Sequence, residues 1–308
     1  MNLTEEVETE IIELEAEDDF NRLDIFIAEG LNISRNKASN LISNLYVTKQ
    51  KDFKLKLKSS TKVFKGDTFL VEIPESPNIN AVEPEDIAFD VIYEDEFLIV
   101  INKPSGLVVH PAPGHYEHTL VNGLVYRYPE MKLMTQRARP GIVHRLDAGT
   151  SGLMIVARSD EALIKLQKLF VERTIDKQYI ALIHGVPKQP EGIISAPLGR
   201  DPFHFAKICA RDDGKPAMTG YKVLWTTNSV SMVLCKLFTG RTHQIRAHFS
   251  GLHCPLVGDT LYGANDTNLP RFFLHSWKLE FIHPFHNKLM KFRQNIPEDF
   301  VRYIRSVF

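Results

Sequence analysis

One stretch, Arg139–Ala157, restricts this chain more than any other. It reads RPGIVHRLDAGTSGLMIVA: an apolar run from Gly141 to Val143, a polar knot of His144, Arg145, Asp147, Thr150 and Ser151, and a second apolar run from Leu153 to Val156. Two short runs rich in β-branched residues around a glycine-containing turn predict buried strands joined by a tight loop. Gly149 and Gly152 predict backbone angles closed to other residues. Asp147 is therefore expected on a rigid loop rooted in a core. A carboxylate beside an arginine, between apolar strands, has the makings of a site rather than of a solvated surface. The alternative is a surface turn whose Asp bonds its own backbone.

The 308 residues allow two or three domains. A 44% hydrophobic and 24% charged composition is that of a globular chain with a sizeable core. No apolar run approaches the roughly 20 residues needed to cross a bilayer. The acidic N-terminus lacks the basic-then-apolar pattern of an export signal, so a cytoplasmic location without a membrane partner is expected. Cys209, Cys235 and Cys254 are far apart and form no CxxC, which argues against a disulfide framework and a cysteine zinc site. Residues 1–19 hold nine acids and no base, leaving 37 bases against 29 acids in the rest. A mildly basic body behind an acidic tail is compatible with a nucleic-acid partner without requiring one.

Taken in order, residues 1–19 read as an acidic, disordered or loosely helical tail. From Phe20 the pattern changes. Leu23, Phe26 and Ile27 share a helix face that Gly30 ends, and Ser34 caps a second helix with Ala38, Leu41, Ile42 and Leu45 on one face. Arg35 and Lys37 fall in its first turn, where the helix dipole disfavours cations unless they face phosphate. In FKLKLK (53–58), Lys54, Lys56 and Lys58 alternate with apolar residues and predict a half-exposed strand with a basic face. Residues 20–74 thus read as a small RNA-binding module, a solvated strand face being the alternative. Pro74, Pro77 and Pro84 mark a linker, placed at 75–86, before a catalytic body at 87–308. Strands are expected there at 90–93, 97–102, 107–110, 177–182, 221–225, 230–239, 277–282 and 289–292. Helices are expected at 120–126, at 161–171, after Gly240 to near Gly251, and from Pro297 onward. Gly199–Lys215, rich in charge and histidine, is a candidate binding loop.

The second polar knot in apolar surroundings is Gly240–His248. If its helix faces the Asp147 loop, Arg246 reaches the carboxylate. A nearby arginine favours the ionised form of a carboxylate, which can then act as nucleophile or base without a metal. Asp147 has no second acid at a helical or hairpin offset, which disfavours a two-carboxylate hydrolase. His243, His248 and His253 recur every five residues, which is not a zinc pattern, and no metal is expected. Ser151 lacks the G-x-S-x-G elbow, and the chain carries no phosphate loop or dinucleotide fingerprint.

HRLDAGTSGLMIVA closely resembles the catalytic motif of the RluA-type pseudouridine synthases, H-R-L-D-x-x-T-S-G-L. INKPSGLVVHP, RPGIVHRLD, the Lys177-Gln178-Tyr179 strand, GKPAMTGY, TGRTHQIRAH and PLVGDTLYG match the same family in order. NRLDIFIAEGLNISRNKASNLI with KGDTFLVEIP resembles the S4 domain, although Asn44–Lys51 departs from that domain's usual V-N-G turn. The usual basic-acidic pair after the aspartate reads Ala148-Gly149 here. The resemblance implies an α+β pseudouridine synthase fold, with a mixed, largely antiparallel central sheet flanked by helices and loops. In front of it stands a small α/β S4-like RNA-binding domain.

The resemblance also implies a cast of residues. Asp147 is the catalytic aspartate, Arg145 displaces or holds the flipped nucleotide, Tyr179 stacks on the uracil, Arg246 pairs with the aspartate, and Leu256 forms the apolar floor. His144 and Thr150, from the same motif, join the expected substrate-binding set. The implied reaction breaks the N1–C1′ bond of uridine, rotates the uracil and rejoins it through C5. All atoms are recaptured, so no cofactor is expected. The implied partner is RNA, 23S ribosomal RNA or a large-subunit precursor, acted on by a monomer. Transfer RNA as substrate, and a non-catalytic RNA-binding or ribosome-assembly factor on the same fold, are the alternatives.

Overall fold

The computed structural model describes residues 10–43, 46–50, 57–73, 82–111, 115–136, 138–204, 206–266 and 268–307. The chain divides into two compact units, Met1–Ile79 and Asn80–Phe308. No helix among the described residues is long and apolar enough to cross a membrane.

In the first unit β1 (Glu10–Glu15) precedes two helices, α1 (Leu23–Gly30) and α2 (Arg35–Ser43), and two further strands, β2 (Val47–Lys49) and β3 (Thr68–Ile73). The strands form an antiparallel sheet in the order β1-β3-β2. Leu23, Phe26 and Ile27 of α1 meet Ala38, Leu41 and Ile42 of α2 in one core, and the Ser34 hydroxyl accepts the Lys37 N–H at 3.3 Å. The acidic tail expected over 1–19 is not unstructured throughout. Glu10–Glu15 pairs residue by residue with Ile73–Thr68. Ile12, Leu14 and Ala16 turn inward while Glu13 and Glu15 face solvent, an alternation of period two that the count of acids conceals.

The basic residues proposed for this unit have separate fates. Arg35 reaches back to Asp24 at 3.0 Å, where Arg22 also donates twice, so it neutralises a buried acid. Lys37 and Lys58 are exposed. Lys54, Lys56 and most of the strand expected at 53–58 lie outside the described residues, and Lys58 itself is not in a strand.

The second unit is built on a nine-stranded sheet, counted among the described residues. Its chain order begins with β4 (Asp90–Glu94), β5 (Leu98–Lys103), α3 (Leu120–Arg127), β6 (Ser151–Ala157), α4 (Asp160–Val171) and β7 (Asp176–His184). There follow β8 (Glu191–Ser195), β9 (Leu198–Arg200), β10 (Ile208–Ala210), β11 (Met218–Thr226), β12 (Val230–Leu237) and α5 (Gln244–Gly251). Last come β13 (Leu274–Ile282), β14 (Leu289–Arg293) and α6 (Glu298–Ser306). The sheet runs β4-β5-β6-β13-β7-β12-β11-β8, with β14 added to β13, and β9 and β10 form a separate small hairpin.

Every pairing in the large sheet is antiparallel except one, the seam where His275 and Ser276 of β13 run alongside Ser151 and Gly152 of β6. All seven residues of β6 are buried, as a strand covered on both faces requires. α4 packs Ala162, Leu163 and Leu166 inward, its N-terminus capped by the Ser159 hydroxyl. Two expected strands shrink to single bridges, Ile142 to Val156 and Val108 to Thr119. At the first, Ile142 N–H bonds back to Arg139 O and Gly141 takes φ +72°, so the chain turns where an extended run is expected.

Candidate active site

The Asp147 loop enters β6 at one wall of a cavity of about 450 Å³. The opposite wall is the turn after β12 and the start of α5, residues 239–246. Arg246 therefore faces Asp147 across the cavity, and its Nη1 donates to Asp147 Oδ2 at 3.1 Å. The same guanidinium grips Asp259 with two bonds, Nε to Oδ2 at 2.7 Å and Nη2 to Oδ1 at 2.9 Å. The Arg246 and Asp259 side chains are 6% and 1% exposed, whereas Asp147 keeps 19% open to the cavity. Burial works against the Arg246 charge, but the bonds and charges of Asp259 and Asp147 outweigh it and raise its pKa. The rings of Phe272 and Tyr262 lie 4.2 and 4.9 Å from the guanidinium carbon and fix its plane. One carboxylate thus anchors the arginine, and the arginine presents the other.

Several contacts hold the Asp147 loop from behind. Thr150 N–H returns to Asp147 O at 3.0 Å. Lys103, at the end of β5 and fully buried, donates to the carbonyls of Pro104 and Leu107 at 2.7 Å and of Ala148 at 3.1 Å. Burial pushes its ammonium down to about 7 against the pull of the Asp147 charge. The Ser105 hydroxyl bonds Gly149 O at 2.9 Å. Arg271 Nη1 reaches Ser151 Oγ at 3.0 Å and Gly149 O at 3.4 Å, while the rest of that guanidinium is clamped by Asp299 of α6 at 2.6 and 2.9 Å. The two glycines serve different ends. Gly152 has φ +110° and lies so close to Ser276 that a Cβ would collide with its backbone. Gly149 has no such angle, and a Cβ there would sit 2.7 Å from the Phe272 ring that packs on Arg246.

The residues expected at the site separate under the geometry. Asp147, Arg145, Tyr179, Arg246, His144 and Thr150 all line the cavity. Arg145 is exposed, free of the core that holds its neighbours. Tyr179, on β7, is 5% exposed, and burial pushes its hydroxyl up to about 12. His144 is committed to the fold: its ring stacks on Phe170 at 4.6 Å, and Nε2 accepts the Ile155 N–H at 3.0 Å. Burial pushes its pKa down to about 3, in keeping with a neutral acceptor. Leu256 is not at the floor. It is fully buried, bridged to Ile183, while Ile245 and Leu274 supply apolar lining to the cavity.

Asp259 and Lys103 are participants the residue pattern did not single out, and His243, weighed there only as a zinc ligand, is a third. His243 takes φ +52° at the start of α5, with Nε2 3.8 Å from Asp147 Oδ2 and Nδ1 3.0 Å from the Tyr262 hydroxyl. Burial lowers its pKa against the attraction of Asp147. Lys103 had a visible signal, a lone charge one residue, Asn102, beyond the apolar run LIVI. Asp259 sits in PLVGDTLYG, where an Asp reads as an ordinary turn residue.

One metal-like grouping lies outside this cavity lining, Asp95 with His283 and His286. His283 Nδ1 already accepts the N–H groups of Phe285 and His286, and its Nε2 faces Asp95 at 3.0 Å. Asp95 also accepts from the Tyr93 hydroxyl and the Phe97 and Leu98 N–H groups. These bonds of Asp95 and His283 lock a turn.

Comparison with known proteins points one way. Residues 97–251 match the family model described as RNA pseudouridylate synthase. The chain is 36% identical over 255 residues to a protein of Nitrosomonas europaea named ribosomal large subunit pseudouridine synthase D, covering 80% of this chain and 73% of that one. It is 35% identical over 306 residues to an uncharacterized RNA pseudouridine synthase of Aquifex aeolicus, covering 95% of each. Among solved structures, human RNA pseudouridylate synthase domain containing 1 superposes with a TM-score of 0.57 at 26% identity, over 72% of this chain and 96% of that one. With its catalytic-motif loop, its sheet and its relatives in agreement, the chain belongs to the RNA pseudouridine synthases and isomerises uridine in RNA to pseudouridine.

Proposed function

We propose that Asp147 is the catalytic carboxylate and that the substrate is a uridine of large-subunit ribosomal RNA. The observation that carries the first part is the Asp259–Arg246–Asp147 chain, which holds one carboxylate at a fixed place in a cavity with a buried tyrosine beside it. A target base must leave its stack to reach such a cavity. Arg145, exposed at the rim, is suited to occupy or hold the gap, and the ring of Tyr179 offers the base a platform. Asp147 then acts on the sugar or the base while the N1–C1′ bond breaks. The uracil rotates within the cavity and closes through C5, which gives up its proton while N1 gains one, so the product is an isomer and no co-reactant is consumed. Thr150 and His144 act through the wall, by shaping the loop rather than touching the base.

The ribosomal substrate is supported by relatives named ribosomal large subunit pseudouridine synthase D at 36–38% identity, and 23S RNA is the form it takes in this reading. The first unit is read as an S4-like RNA-binding domain, on its two helices against a small sheet and the exposed Lys37 and Lys58. A cytoplasmic monomer completes the proposal.

A single set of assays tests it. A transcript of large-subunit RNA is incubated with the protein and pseudouridine is mapped. Asp147→Asn should abolish product while RNA binding stays near the original, and product from that variant would remove the mechanism. The 80–308 fragment should still modify a short RNA but bind the long one more weakly. Its salt dependence should be shallower, by about one unit of slope for each phosphate that the first unit neutralises.

A further inference from the structure

Beside the Asp147 cavity lies a second groove of about 540 Å³, which shares the wall Gly240, Arg241 and Thr242 with it. Its lining holds four cations, Arg200, Arg211, Lys215 and Arg241, against the single carboxylate of Asp213. Asp213 is bound by Arg211 at 2.6 and 2.7 Å, and Lys215 and Arg241 add positive charge to the lining beyond that pair. The groove is built on the β9–β10 hairpin. Leu198 and Lys215 exchange two backbone bonds of 2.9 Å, and Gly214 packs so closely on Leu198 that a Cβ would lie 2.7 Å from its backbone.

The loop that closes this hairpin carries an aromatic in an unusual place. Phe203 is 87% exposed. Its backbone is tied to the loop: Asp201 Oδ1 accepts the N–H groups of Phe203 at 2.8 Å and His204 at 3.0 Å, and Asp201 N–H bonds Lys207 O at 3.0 Å. A phenyl ring held out into water three residues from a cationic groove has the composition of a single-strand RNA site, where backbone phosphate meets cations and bases meet aromatic faces.

We propose that this groove and Phe203 form a second nucleotide subsite, which takes the unpaired strand adjoining the flipped uridine. Arg241 stands at the junction, the groove cations follow the sugar–phosphate backbone outward, and Phe203 stacks on a neighbouring base. The stack replaces some of what the RNA loses when its uridine is extruded. This rests on the reading of the Asp147 cavity as the uridine site, but its binding component can be measured without turnover.

The probe is a short single-stranded RNA with one uridine and 2-aminopurine placed on either side of it in turn, titrated with the full chain. Binding should quench the fluorophore from one of the two positions. Phe203→Ala should abolish that quench and weaken affinity about tenfold, and Phe203→Trp should restore both. Lys215→Gln should lower the salt slope by about one. Unchanged affinity and quench in Phe203→Ala, or an unchanged slope in Lys215→Gln, overturns the subsite. If pseudouridine forms while those substitutions have no effect, only the subsite fails. If the quench and its loss appear as stated but no RNA is isomerised, the subsite stands and the reading of Asp147 fails.

Discussion

Arg246 directs three N–H donors at two carboxylates while two aromatic rings close on its faces. Only a planar fork can do this, so charge alone is not the requirement. We expect Arg246→Lys to fold yet lose kcat about 100-fold with little change in KM, because the ammonium can hold Asp259 or Asp147 but not both in register. Steady-state kinetics beside a thermal melt separates this from simple destabilisation. Much of this was legible from the chain alone: two polar knots in apolar runs pointed to Asp147 and Arg246 and to their pairing. Asp259 was not, since an acid in a glycine turn looks the same whether it faces water or, as here, is 1% exposed under a guanidinium. Leu256 was misplaced because apolar character reports burial and not which surface is met.

The elements that deliver these side chains depend on one another through the Arg271–Asp299 clamp, which ties α6 to the Gly149 carbonyl and the Ser151 hydroxyl. Asp299→Ala would leave a guanidinium that is 7% exposed without its partner. The cost should be about 2–3 kcal/mol, at the low side for a buried pair since Asp299 is itself 28% exposed. Urea unfolding measures it, and kcat should fall because the loop bearing Asp147 loses a support. Strands such as β5 and helices such as α4 were legible because their apolar periods are clean. The seam between β6 and β13 was not: it joins residues about 120 positions apart, Ser151 and His275 among them, and nothing local encodes the choice of neighbour. β1 escaped notice for a different reason, as six acids among residues 8–18 outweighed the three inward-facing apolar positions.

At the scale of the molecule, two histidines make stability depend on pH. His144 and His275 are neutral in the fold, with pKa values pushed down by burial to about 3 and about 4. The unfolded chain binds protons at both near pH 6.5, so on acidification it gains protons that the folded chain refuses. The share of stability that these two rings carry should therefore be intact above pH 6.5 and fall between pH 6.5 and 4, with a limiting slope of about 2.7 kcal/mol per pH unit for two groups. Denaturant midpoints across this range check it, and His144→Gln should make the slope shallower by about 1.4 kcal/mol per pH unit. A flat profile would mean that both rings titrate in the fold as they do in the unfolded chain.

The seam of β6 with β13 has a consequence for the newborn protein. Ser151 and Gly152 wait for residues 275 and 276, and the loop before them waits for Arg271 and Asp299. Translation thus delivers the Asp147 loop with its Lys103 and Ser105 contacts before the Arg271 contact can form. The Asp147 loop therefore reaches its full set of contacts only after the last strands and helix have been made.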